Sequence, residues 1–203
     1  MRWKEAADQY CSIARTLGLL GDRWTLLVIR EALNGVRRFD DFRRHLGIAR
    51  NVLTERLQRL VDAGVLELRP YQASPPRSEY RLTDAGRDLQ PILIGLMTWG
   101  DRWLAGASGP PLVVEHSGCG QPTVPRMTCD HCGEELHVRN TVLRDGPGLP
   151  RDVARERRRE LERIRAQHHA SSSASTSPAV AGAVRGERSP VVRSRRSKQP
   201  PRP

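Results

Sequence analysis

Two short stretches of this 203-residue chain, His116-Ser117-Gly118-Cys119-Gly120 and Cys129-Asp130-His131-Cys132-Gly133, each set two soft donors three residues apart and follow them with glycine. Thiolates and imidazoles at that spacing suit a tetrahedral zinc ion, and two short turns joined by a small loop are a common way for a segment without a core to gain stability. His116, Cys119, Cys129 and Cys132 are therefore the expected ligands of a structural zinc, with His131 an alternative to His116; the competing reading is an unmetallated hairpin with incidental thiols. Four protein ligands would close the shell. A zinc deaminase also needs His-x-Glu beside its Cys-x-x-Cys, where this chain has His116-Ser117-Gly118, so no enzyme is expected.

A second set of chemically informative residues lies in "GIARNVLTERLQRLVDAG", residues 47–64. At ~100° per residue, Leu53, Leu57, Leu60 and Val61 fall on one side of a helix. Asn51, Glu55, Gln58 and Asp62 fall opposite, flanked by Arg50, Thr54 and Arg59. Asn and Gln amides can address adenine and an Arg guanidinium can address guanine in a major groove that admits one helix. Most polar helix faces are merely hydrated, so residue type does not decide the matter alone. Context favours DNA: Arg37, Arg38, Arg43, Arg44 and Arg77 sit in the flanking segments, where phosphates would run.

The elements that would carry this edge follow from periodicity. Apolar positions recur at helical spacing over about residues 7–20, and Asp22 then caps a strongly apolar helix closed by Asn34-Gly35. "RRFDDFRRHLG" gives a short helix ended by Gly47, and the 47–64 helix comes next. "VLELRPY" and "SEYRL" alternate apolar and polar residues around a loop with two prolines, the pattern of a β-hairpin. Thr83-Asp84 caps a long helix over about residues 85–106, with Pro91 a candidate kink and Ile92, Leu93, Leu96, Trp99 and Trp103 along one side. The expected fold is mainly α with a small β-hairpin wing (α+β), a winged helix-turn-helix. Three regions are expected: residues 1–107 for DNA binding and dimerisation, a zinc-knuckle segment at 112–144, and a basic, largely disordered tail at 145–203 in which "LPRDVARERRRELERIRAQHHA" has some helical potential.

Charge and composition agree with this division. Hydrophobic residues make up 37% and aromatic residues 4% of the chain, low enough that part of it should bury nothing. Of the net charge of +11, residues 145–203 hold the largest share, with 14 Lys and Arg against 6 Asp and Glu, while residues 1–107 carry 17 against 13. That balance favours a polyanionic partner, nucleic acid before membrane. Neither a signal peptide nor a run near ~18 apolar residues is visible, so the chain is expected in the cytoplasm, where its four cysteines would be thiols or metal ligands.

The run from Tyr10 to Gly100 resembles the HxlR-type bacterial transcription regulators over about 90 residues, most specifically in "GDRWTLLVIREAL", "RRFDDF", "VLTERLQRLVDAGVLE" and "PPRSEYRLTDAGR". The resemblance implies a winged-helix homodimer, joined through the first helix and the long helix after the wing, that binds an operator near the promoter it controls. It puts Arg50, Asn51, Thr54 and Gln58 toward the major groove and Arg77 near the minor groove. Arg56 matches the family's habitual arginine, which would hold a phosphate or a neighbouring helix. One departure stands out: Ala49 and Arg50 replace the family's usual Ser cap and Pro, at a cost on the order of 1 kcal/mol, which predicts a frayed N-terminus or a different readout by Arg50. Cys11, which periodicity puts on the apolar face of the first helix as an inert thiol, aligns with the cysteine that some of these regulators use to sense oxidants or electrophiles.

These readings combine into a sequence-specific regulator, expected to repress, that sits as a homodimer on an inverted repeat with half-sites about one DNA turn (~34 Å) apart. A small-molecule or redox effector is compatible with it. The alternative is an adaptor in which the winged helix is only a scaffold and the knuckle and basic tail bind a protein or RNA.

Overall fold

In the computed structural model the described residues are 9–174. Four helices come first: α1 (Ser12–Leu20), α2 (Thr25–Leu33), α3 (Phe39–Leu46) and α4 (Arg50–Asp62). A hairpin of β1 (Leu66–Gln72) and β2 (Arg77–Leu82) follows, then α5 (Asp84–Arg87) and α6 (Gln90–Leu104). A 3-10 turn (Gly106–Ser108) leads to the two-residue strands β3 (Glu115–His116) and β4 (Gln121–Pro122), and α7 (Arg151–Ala174) completes the described chain. The chain divides into two compact units at the Leu149–Pro150 boundary.

The core is the inner face of the helical layer. Leu53, Leu57 and Leu60, spaced by four and three along α4, are wholly buried with Val28 and Ile29 of α2 and Phe42 of α3. Each such side chain contributes about 2 kcal/mol of transfer free energy, which is why the apolar stripe of α4 fixes its rotation. The α3–α4 turn needs a left-handed residue: Gly47 has φ of 61° and its N–H closes α3 on the Arg43 carbonyl at 3.0 Å. No side chain caps α4 at Ala49, yet the helix is regular from Arg50 and its first carbonyl bond runs from Leu53 N–H to Ala49 O.

In the wing, Leu66 pairs with Leu82, Leu68 with Tyr80 and Pro70 with Ser78, and a register shift past Pro70 sets Gln72 opposite Arg77. Pro70 has no N–H to give to a ladder, so the irregularity falls where it costs least. Tyr80 N–H donates to the Arg37 carbonyl at 2.8 Å, and the Tyr80 ring meets Phe42 edge-on at 6.3 Å between centroids. The Tyr80 backbone thus ties the wing to the α2–α3 connection, and its ring ties the wing to α3.

Two expectations need correction. The first helix starts at Ser12, with Cys11 in an extended N-cap conformation rather than on its apolar face; residues 1–8 lie outside the described residues. The long helix expected over 85–106 is two helices: Thr83 caps the short α5 by accepting from Gly86 N–H, and a turn at Asp88–Leu89 separates α5 from α6. Pro91 therefore lies in the first turn of α6, where its missing N–H is harmless, and not at a mid-helix kink. Residues 151–174, where the sequence has helical potential, form α7; the rest of the tail, 175–203, lies outside the described residues. Among the described residues no helix is long and apolar enough to cross a membrane.

Candidate nucleic-acid interface

With its leucines inward, α4 turns Arg50, Asn51, Thr54, Glu55, Gln58 and Arg59 to solvent along one edge. Several of these are committed within the helix. Thr54 Oγ1 donates to the Arg50 carbonyl at 2.9 Å and Gln58 Nε2 donates to Asp62 Oδ1 at 2.7 Å. The Arg50 guanidinium lies 5.1 Å from the Phe39 ring centroid, so it leans over α3 while still exposed. Among the described residues nothing bonds the Asn51 side chain, which leaves a bidentate amide presented from the first turn of the helix.

Arg56, expected among the DNA-contacting residues, turns the other way. Its side chain is 17% exposed and its Nε lies 3.0 Å from Asp22 Oδ1, an ion pair whose N–H is not aimed well enough to count as a hydrogen bond. Nη1 reaches Glu55 Oε1 at 2.7 Å. Burial works to lower the Arg56 pKa, but Glu55 and Asp22 outweigh it and the net shift is upward, so the charge is held. Of the two roles the family pattern allowed, Arg56 takes the structural one. Arg59 is also partly spent, since Nη2 donates to the Gly18 carbonyl at the end of α1.

Two acidic residues that sequence reasoning did not count as part of the site hold it in place. Asp22 Oδ1 accepts from the N–H groups of Trp24 at 2.8 Å and Thr25 at 3.0 Å, and Oδ2 accepts from Thr25 Oγ1. Burial raises its pKa, but the bonds from Thr25 and Trp24 and the Arg56 charge pull it further down, below the ordinary carboxylate value. Glu31 is a buried carboxylate on α2, 2.6 Å from Arg30 Nη2 and 3.1 Å from His45 Nδ1 of α3. Burial pushes its pKa up, and the bonds from His45 and Arg30 bring it below normal. A lone acid inside "TLLVIREAL", three residues after Val28, was the signal available for Glu31.

Around this edge the expected phosphate contacts separate into two kinds. Arg37 and Arg77 are exposed, and among the described residues neither side chain has a counter-ion. Arg38 stacks over the Tyr71 ring at 4.8 Å, which joins the α2–α3 connection to β1, and Arg44 pairs with Asp41 at 3.1 Å.

Away from this edge, α6 has no buried residue although it is largely apolar. Leu93 packs on the core, while Ile92, Leu96, Trp99 and Trp103 form an exposed stripe, with Trp99 57% exposed. On α1, Ile13 and Leu17 are exposed as well.

The Cys/His segment forms two separate pairs. His116 Nδ1 is 3.3 Å from Cys119 Sγ. Hydrogen bonds from the backbone N–H groups of Cys132 and His131, and from the Cys132 thiol, hold the Cys129 pKa below that of an ordinary thiol. Among the described residues no three His, Cys, Asp or Glu side chains are grouped to hold a metal ion, so the four expected ligands are not brought together.

Residues 19–108 match the HxlR-like helix-turn-helix family. A Mycobacterium tuberculosis protein described as an uncharacterized HTH-type transcriptional regulator is 48% identical over 143 residues, 70% of this chain and 90% of the relative. A Bacillus subtilis protein of the same description, YdeP, is 32% identical over 94 residues, 46% of this chain and 73% of its own. Among solved structures, PA1607, provisionally assigned as a transcription factor, superposes with a TM-score of 0.63 at 32% identity, covering 70% of this chain and 99% of that one. PA1374 from Pseudomonas aeruginosa, with the same provisional assignment, gives 0.54 at 35% identity, covering 72% and 99%.

Proposed function

Because the chain belongs to the HxlR-like helix-turn-helix family of transcriptional regulators, we propose that it is a sequence-specific repressor that binds an inverted-repeat operator as a homodimer. The observation that carries this reading is the outer edge of α4: an unpaired Asn51 amide and an exposed Arg50 on a helix whose opposite face is wholly buried. Arg37 and Arg77, without counter-ions, flank that edge from the α2–α3 connection and the wing.

In this reading α4 lies in the major groove. Asn51 addresses an adenine and Arg50 a guanine, while Arg37 and Arg77 neutralise phosphates and fix the register. Thr54, Glu55, Gln58 and Arg59 line the same edge, partly satisfied by their own helix, and serve shape more than base readout. Arg56 acts from behind by holding α4 against the start of α2.

The dimer follows from α6. A helix that exposes two tryptophans and a leucine on one stripe is stable when a second copy covers it, and two-fold pairing there carries two α4 edges to successive grooves on one side of the duplex. Repression follows if the operator overlaps the promoter and the bound dimer occludes it.

The test is selection of bound sequences from a random DNA pool by the purified full-length chain. The reading expects enrichment of an inverted repeat whose half-sites are about one helical turn apart. Enrichment of no motif, or tighter binding to single-stranded RNA than to any duplex, would favour the adaptor reading instead.

A further inference from the structure

From Glu115 to Gly148 every residue except Cys129 is exposed, including Val138 at 91% and Leu143 at 88%. So little burial offers almost no hydrophobic term against the entropy of ordering the chain, and segments in that position are usually stapled by a disulfide or a metal. The four cysteines are all free.

The segment contains the same turn twice. In the first, the His116 carbonyl accepts from Cys119 N–H at 3.1 Å and Gly120 N–H at 2.8 Å, and Gly120 is left-handed with φ of 67°. In the second, the Cys129 carbonyl accepts from Gly133 N–H at 2.8 Å, and Gly133 has φ of 76°. Each turn tips a small antiparallel ladder: β3 pairs with β4 around the first, and Thr128 bridges Glu135 around the second. In the first turn the two donors face each other, with His116 Nδ1 3.3 Å from Cys119 Sγ. Gly118 makes room for this in the first turn, since a Cβ there would stand 2.9 Å from His116 Cε1.

We propose that these two turns are the halves of one metal site, in which His116, Cys119, Cys129 and Cys132 close on a single zinc ion and so tie the two ladders together. One nitrogen and three sulfur donors are the composition of closed structural zinc sites. Each cysteine binds as the thiolate and releases its proton to solvent. A disulfide between Cys129 and Cys132 explains less: it would close a loop within one turn, leave the two ladders unconnected, and give no reason for the matching His116–Cys119 turn. The site completes only when the halves meet, which is the ordering that metal binding itself supplies in small zinc modules.

The experiment uses the full-length chain purified under reducing conditions, with metal content measured directly and cobalt(II) titrated into the demetallated protein. The expected result is one zinc per chain and a cobalt spectrum with thiolate charge transfer and the strong ligand-field bands of a tetrahedral site. Cys119→Ser and Cys132→Ser should each weaken cobalt binding at least about 100-fold, and His116→Ala at least about tenfold, with His131→Ala near wild type. Because loss of a ligand can unfold the segment, hydrogen exchange of the wild-type chain gives a second readout. Chelation should remove protection across residues 112–144 while the α4 amides keep theirs. Sub-stoichiometric metal, a Cys129–Cys132 disulfide in its place, binding that survives loss of His116 and Cys119, or exchange indifferent to chelation would each overturn the proposal.

Discussion

Arg56 Nε stands 3.0 Å from Asp22 Oδ1, and that same carboxylate receives the first N–H groups of α2 from Trp24 and Thr25. One acidic side chain thus caps one helix and anchors the flank of another, the helix proposed to read DNA. Asp22→Ala removes the cap and leaves a mostly buried guanidinium with Glu55 as its remaining partner. The expected loss is about 2 kcal/mol in denaturant unfolding. Asp22→Asn, which can still cap, should lose less, and a double-mutant cycle with Arg56→Ala should give a coupling of about 1 kcal/mol.

The same carboxylate predicts a pH dependence. Asp22 binds its proton more weakly in the folded chain than in the unfolded one, where an aspartate pKa is about 3.9. Its contribution is therefore complete above the unfolded value and fades as pH falls through the lower folded value. Wild type should lose stability below about pH 4 more steeply than Asp22→Asn. Parallel curves for the two proteins in that range would count against the ion pair.

Gly86 and Gly47 should respond to alanine for different reasons. At Gly86 a Cβ would lie 2.3 Å from the Val65 carbonyl oxygen and 2.8 Å from Leu82 Cδ2. The Val65 oxygen is a backbone atom that also accepts from Thr83 N–H at 3.2 Å, so it cannot give way. Gly86→Ala is expected to cost about 3 kcal/mol. At Gly47 nothing stands within 4 Å and only the left-handed backbone resists, so Gly47→Ala should cost about 1 kcal/mol. Thermal unfolding of the two variants checks the order.

Much of this framework was legible in the sequence because it is written in local signals. The leucine spacing of α4, the glycine that ends α3, the alternation of the hairpin and the prolines at its tip each act within a few residues. Two features were not legible. The break between α5 and α6 falls at the Asp88–Leu89 turn, while the apolar stripe continues across it as though the helix were single. Arg56 looked like its exposed neighbours on α4, and only Asp22, distant in sequence, turns it inward. The polar edge was predicted residue by residue, but the Gln58–Asp62 bond and the Arg59–Gly18 contact that occupy part of it depend on side-chain choices that periodicity does not encode.

The α4 edge predicts a division of labour under the proposed function. Asn51→Ala should cost about 1–3 kcal/mol of operator affinity and relax preference at one base pair, with unfolding stability unchanged. Arg77→Ala should weaken binding to all duplexes alike and flatten the salt dependence by about one unit of slope. Equilibrium binding across a set of single-base operator variants at two salt concentrations separates the two behaviours.

The exposed stripe of α6 predicts the assembly. Leu96→Ser with Trp99→Ser should give a monomer in analytical ultracentrifugation that keeps its helical circular dichroism and loses operator binding. A monomer that still binds the full operator with wild-type affinity would remove the dimer from the account.

The central claim is tested most directly by competition binding of the wild-type chain to its selected inverted repeat against the same bases scrambled, at one fixed physiological salt concentration. A preference of at least about a thousandfold for the repeat is expected. Equal affinity for both would contradict it and leave the arginines as general polyanion contacts.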